Sequence, residues 1–264
     1  MALKAPTKKP ITLPPVHPNA GIEAEFRRRL QKWVDAMHKS VLYWIRAAYR
    51  ANKPAMAKDG SAAAELSLTM KRLAAQWQKN INAASEEIAD YFATAAAKRS
   101  DSALRAALAK AGFTVEFTMT REANDVMQAT IGEQVGLIRT IASQYLSQVE
   151  GLVMRSVQEG RDLKGLTDDL YDRYRITRKR AAFIARDQNN KATASMTRVR
   201  QEALGITHAI WRHSHAAKQP RPEHLLFDGE RYDVRKGAYL EGVWTWPGRE
   251  INCGCTSQSI IPGF

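Results

Sequence analysis

Only two cysteines, Cys253 and Cys255, occur in 264 residues. A pair one residue apart is no disulfide framework. It implies a reducing compartment, with both thiols free or bound to a metal. No apolar run approaches the ~18 residues of a membrane span. The N-terminus, MALKAPTKKPITLPPVHPNAG, has no continuous apolar segment, so it is not read as a signal peptide and the chain is expected to be soluble at synthesis. There is no glycine-rich phosphate loop, no serine elbow and no paired-carboxylate motif, so the commonest catalytic signatures are absent.

Positive charge is what the chain has in excess, with a formal net charge of +13. Residues 1–50 carry 10 basic and 3 acidic side chains, and residues 171–205 carry 9 and 3. The stretch between them and the final 59 residues are close to neutral. Two basic poles attract polyanions, nucleic acid first and an acidic protein surface second, unless the charges simply solvate helix faces.

Apolar periodicity gives the body. Residues 1–20 hold five prolines, three lysines and no acid, and read as an extended basic arm outside the core. Phe26, Leu30, Trp33, Met37, Val41, Trp44 and Ala48 form one helical stripe, ended by Asn52-Lys53-Pro54 and Asp59-Gly60. Leu66, Met70, Leu73, Trp77, Ile81, Ala84, Ile88 and Tyr91 form a second. Two such helices would lie antiparallel. Trp33, Trp44 and Trp77 read as packing residues, with a ligand box as the rival. Ser100-Asp101 reads as a break before a short helix to Lys110, and Phe113–Met119 as a strand. Thr120 should cap a helix that bends near Ile141 and stops at Gly160. A short helix with Leu163, Leu166 and Leu170 precedes a basic helix from Arg178 to about Leu204, capped by Thr177 and stopped by Gly205.

After Gly205 the grammar changes, and four of the six histidines and both cysteines follow. His208–Arg212, Arg231–Asp233 and Val243–Trp246 read as short strands, and Pro222–Phe227 as a short helix with Pro222 in its first turn. Such a unit has little core and needs a staple or must dock on helices. The expected fold class is mainly α: long antiparallel helices with a small C-terminal α+β unit. Four segments result: an arm at 1–20, helical regions at 21–112 and 113–205, and the His/Cys-bearing unit at 206–264.

His213, His224, Cys253 and Cys255 make a Cys2His2 set suited to structural zinc. The rival readings are a packed His213, a His224 that caps a helix or pairs with a carboxylate, and cysteines acting as small buried hydrophobes. Arg221, stiffened by flanking prolines, suits a bidentate partner such as Asp228 or a phosphate. Trp211, Arg221, Asp228 and Gly229 are expected to be structural. His213, His215, His224 and Asn252 are also types that a metal-dependent nuclease uses, but Asp228, Glu230 and Asp233 show no metal spacing. The DNA-facing candidates are Lys4, Lys8 and Lys9 in the arm, and Arg178, Lys179, Arg180, Arg186, Lys191, Arg198 and Arg200 on the basic helix.

The ordered run Ile184-Ala185-Arg186-Asp187-Gln188-Asn189-Asn190-Lys191, Leu204-Gly205-Ile206-Thr207, Trp211-Arg212-His213-Ser214, Pro220-Arg221, His224, Gly229, Pro247-Gly248 and Ile251-Asn252-Cys253-Gly254-Cys255 resembles the phage Mu F-like minor head proteins, the phage head morphogenesis family. The resemblance covers roughly residues 115–262. It implies a non-enzymatic minor component of a tailed-phage head, located in the head interior and in host cytoplasm during assembly. Its implied partners are the portal protein, the major capsid protein and double-stranded DNA bound without sequence preference, with several copies per particle and no membrane. It also implies a role in DNA packaging or ejection. Members can carry a toxin domain after this module, and none is expected here. Many members have a C-x-x-C pair where this chain has Arg221 and His224, and the usual Arg between the last two cysteines is Gly254.

Overall fold

The computed structural model describes residues 9–51, 62–160, 162–216 and 219–262. Lys4, Lys8 and the Asn52–Gly60 loop lie outside these residues. Among them, four long helices dominate: α1 (Ala20–Ala51), α2 (Ala62–Lys110), α3 (Arg121–Gln158) and α4 (Leu163–Ala203). A short strand β1 (Ile11–Thr12) precedes them. After them come β2 (His208–Arg212), α5 (Pro222–Leu226), β3 (Arg231–Asp233), β4 (Ala238–Leu240), β5 (Val243–Thr245) and β6 (Thr256–Ile261). The fold is mainly α with a small C-terminal α+β part, as the sequence implied.

The chain divides into two units that interleave along the sequence. One comprises Met1–Glu23, Tyr91–Ile131 and Arg186–Phe264, and the other Ala24–Asp90 and Gly132–Ala185. The unit boundaries fall inside the long helices, whereas the sequence-derived ones at 20, 112 and 205 fall at helix ends.

In the unit built from Ala24–Asp90 and Gly132–Ala185, the α1 stripe buries Phe26, Leu30, Val34, Met37, Val41 and Ile45. Trp44 is 49% exposed and stacks edge-on against Tyr43, whereas Trp33 meets Trp77 at 6.1 Å. The three tryptophans therefore do not form a box. The α2 stripe holds to Ile88 and then drifts, so that Phe92 is buried and Tyr91 faces out. Register fixes the helix directions. Gln31 meets Arg178, and Asp35 meets Tyr174, so α1 and α4 run antiparallel. His38 meets Tyr145, and Tyr49 meets Ser156, so α1 and α3 run parallel.

Local signals explain the helix starts. The Asn19 side chain accepts from Ile22 N–H, and Thr120 Oγ1 accepts from Ala123 N–H as expected. α4 begins at Asp162, whose carboxylate accepts from Lys164 and Gly165 N–H. Thr177 is therefore not a cap: it lies mid-helix, with its hydroxyl donating to the Arg173 carbonyl. α2 is likewise unbroken at Ser100-Asp101, because both side chains serve tertiary contacts, with Thr197 and Arg200. α3 is continuous through Ile141, and the stops at Gly160 and Gly205 hold, with φ of +93° and +69°.

Two corrections concern extended segments. Residues 113–119 form no strand, although Phe113, Val115 and Phe117 alternate inward against the core. Alternation specifies a half-buried extended chain, not a pairing partner. The arm is no bystander either. β1 pairs antiparallel with β6, and Leu13 and Val16 are buried. Proline is tolerated on an edge strand, which is where β1 lies in the sheet order β1-β6-β2-β3. A separate hairpin joins β4 to β5. Leu104, Ala107 and Leu108 of α2 complete the core under Trp211, Tyr232 and Val234, so the small C-terminal part docks on a helix as its size requires.

His38 gives a pH test of the helical unit. It is buried, contacts the Tyr145 hydroxyl through Nδ1 at 2.8 Å and stacks on Tyr174. Burial pulls it down to about 4, against the opposing charge of Asp35 and with that of Arg46. The unfolded chain takes up this proton below about pH 6.5, but the folded chain does so only near pH 4. Stability from this site is thus full above the upper value and falls as pH drops between the two, by about 2–3 kcal/mol. Urea unfolding at pH 7 and pH 4.5 should show this loss, and His38→Phe should flatten it. An unchanged difference in the variant would remove His38 as its source.

Candidate metal centre

The site is assembled by three short segments. β2 ends in Trp211-Arg212, with Trp211 fully buried. α5 starts with Pro222 in its first turn and turns His224 inward to 2% exposure, with its ring 5.0 Å from that of Trp211. The loop before β6 carries Cys253 and Cys255, both buried. His224 Nδ1 lies 3.6 Å from Cys253 Sγ and 3.8 Å from Cys255 Sγ. One ligand atom from each of the three residues falls within 4.8 Å of the others.

These separations fit a shared metal. Zinc–sulfur and zinc–nitrogen bonds at tetrahedral angles place N and S about 3.6 Å apart. As a packing residue, by contrast, His224 is poorly satisfied. Its Nδ1 meets only the two sulfurs, and its buried Nε2 has no hydrogen-bond partner among the described residues. Cys255 donates to Cys253, which holds the Cys253 thiol below the usual thiol range and pushes Cys255 up.

His213, the fourth expected ligand, is not in this cluster. It lines the same small cavity, together with Ser214, Arg221 and Asn252. Its Nδ1 accepts from His215 N–H at 3.1 Å. Burial, then neighbouring His215, lowers its pKa. His215 has φ +52° and reaches Asp228 through Nε2 at 3.1 Å. Asp228 also accepts from His213 N–H, the main cause that keeps its carboxyl low. Arg221 does not meet Asp228. It pairs with Glu241 at 3.2 Å and donates to the Ile251 carbonyl. Gly229, at φ +88°, donates its N–H to the Trp211 carbonyl and closes the turn after α5.

The sequence did not single out the clamps on the cysteine loop. Asp187 accepts from Asn252 N–H at 2.6 Å, Arg186 donates to the Asn252 side chain, and Asn190 Nδ2 donates to the Cys253 carbonyl. All three come from α4 within the unbroken polar run Arg186–Lys191, which was the available signal, and Asp187, Gln188 and Asn189 of that run are buried. Gly248 packs so closely on α4 that a Cβ would sit 2.8 Å from the Ala194 methyl.

The basic helix is mostly spent on internal pairs. Arg178 binds Asp35 at 2.6 Å, which raises its pKa, and Arg180 donates to Thr140. Lys191 pairs with Asp187, Arg186 holds Asn252, and Arg198 lies over Trp246 and near Glu202. Arg200 is 2% exposed and cannot reach DNA, so it is withdrawn from the candidate set. Lys9 and Lys179 are exposed. Because α4 starts at Leu163, Arg178–Arg180 lie mid-helix and do not oppose its dipole.

With this geometry in hand, comparison with known proteins places the module. Residues 147–258, which include all three clustered ligands, match the family described as Phage Mu protein F like protein. A Haemophilus influenzae (strain KW20 / Rd) protein described as uncharacterized is 33% identical over 135 residues, 51% of this chain and 29% of the relative. The chain thus spans less than a third of that relative's length. No solved structure matches the chain. No helix among the described residues is long and apolar enough to cross a membrane.

Proposed function

We propose that the chain is a structural component of a tailed-phage head, acting in head morphogenesis without catalysing a reaction. The phage Mu F-like match over residues 147–258 carries this reading. The site chemistry supports it. Among the described residues the one cluster of three or more potential metal ligands is two sulfurs and an imidazole, with no carboxylate. That is a soft set suited to a structural ion and unlike the oxygen-rich sites of magnesium-dependent nucleases. The nearby carboxylate Asp228 is occupied by His213 N–H and His215.

Within this reading the portal and the major capsid protein are the protein partners, and exposed aromatics such as Tyr43 and Trp44 offer contact area. Contact with packaged DNA falls to the arm around Lys9 and to Lys179, since most basic side chains of α4 have internal partners. Such contacts would be independent of sequence and weakened by salt. Disrupting the gene should yield heads that assemble or package poorly, or particles that infect at a fraction of wild-type efficiency. Wild-type assembly, packaging and infectivity without it would end this proposal.

A further inference from the structure

We infer that His224, Cys253 and Cys255 bind one zinc ion through three protein ligands, and that the fourth position is held by an exchangeable water replaceable by a small anion. This goes beyond the head-protein reading and does not depend on it. Three observations carry it: the N–S separations of a tetrahedral site, the buried imidazole whose Nδ1 meets only the two sulfurs, and the absence among the described residues of a fourth His, Cys, Asp or Glu ligand atom in the cluster.

The neighbours placed to close the site are committed elsewhere. Arg221, three residues before His224 and at the other end of this short helical turn, has no lone pair to offer and is turned to Glu241 and the Ile251 carbonyl. His213 faces the same cavity, but its Nδ1 accepts the His215 N–H. A neutral ring with Nδ1 as acceptor carries its proton on Nε2, so Nε2 cannot ligate without breaking that bond. Asp228, the carboxylate that accepts from His213 N–H, is held by two hydrogen bonds of its own. The remaining corner therefore faces the cavity between His213, Ser214, Arg221 and Asn252.

Two thiolates neutralise a divalent ion, so an exchangeable position there takes water or a singly charged anion. Sites with four protein ligands are closed, and three-ligand sites keep an open position. The loop that supplies both sulfurs is already fixed by Asp187 and Asn190, so no large rearrangement is needed for the ion to bind.

Cobalt reports this directly. The full chain loaded with Co2+ should take up about one equivalent and show a tetrahedral visible spectrum with sulfur-to-cobalt charge transfer. Added sodium azide should shift that spectrum saturably and reversibly. His213→Ala should leave the stoichiometry and the charge-transfer band in place, and Cys255→Ser, which keeps one of the two sulfurs, should weaken that band. If Cys255→Ser does not fold, the wild-type titration still decides. A cobalt protein inert to azide, with a spectrum altered by His213→Ala, would show His213 as a closing fourth ligand and overturn the open position alone. Failure to bind Co2+ or Zn2+ at any stoichiometry would overturn the metal assignment, leaving the phage-head reading to its own test in particles.

Discussion

Replacing Arg200 with methionine should destabilise the protein by about 3–5 kcal/mol in urea unfolding. Arg200 is 2% exposed, and its guanidinium grips both carboxylate oxygens of Asp101 at 2.8 and 2.9 Å. It also donates to the Thr118 carbonyl at 2.7 Å and lies over the Phe117 ring. Methionine fills much of the volume but leaves a largely buried carboxylate without its counter-charge and a carbonyl without a donor. The double variant with Asp101→Asn should recover part of the loss, because it removes the stranded charge. A loss below about 1 kcal/mol would mean that solvent reaches the pair. The same residue looked from the sequence like a DNA contact. Its real partners, one on α2 and one before α3, lie 99 and 82 positions away.

Trp211→Ala should cost a similar amount, about 3–5 kcal/mol, and should also weaken metal binding. Trp211 is fully buried, with ring centroids 5.0 Å from His224, 5.8 Å from Phe227 and 6.0 Å from Tyr232. Truncation opens a cavity beside the imidazole and frees α5 to move. Trp211→Phe, which keeps an aromatic body, should lose less in both unfolding and zinc titration. Unchanged zinc affinity in the alanine variant would show that α5 is held independently of the indole.

The parts of the fold that were legible in the sequence are those set by local chemistry. Helical stripes, the Thr120 cap, the glycine stops and the strands at His208 and Arg231 depend on residues within a few positions of one another. Much of what failed did so because polar or β-prone residues serve partners that the local sequence does not show. Ser100, Asp101 and Thr177 looked like breakers but sit inside helices because their side chains bond to α4 or to the preceding turn. Ile11 and Thr12 looked like part of a loose arm, but their strand partners, Ile261 and Ile260, are some 250 residues on. β4, Ala-Tyr-Leu, went unread because it carries no β-branched residue of its own. At the candidate site, three of the four expected ligands do converge. His213 does not, because the backbone N–H of His215 claims its ring. The clamps made by Asp187 and Asn190 were invisible as a site because their targets are backbone groups, which no sequence motif displays.

The most direct check on a role inside the phage head is quantitative mass spectrometry of purified particles, empty heads and full heads alike. This chain should be present in several copies per head and should survive washes that strip host proteins. Particles of full infectivity that contain none of it, while the chain stays behind in the host lysate, would contradict the assignment.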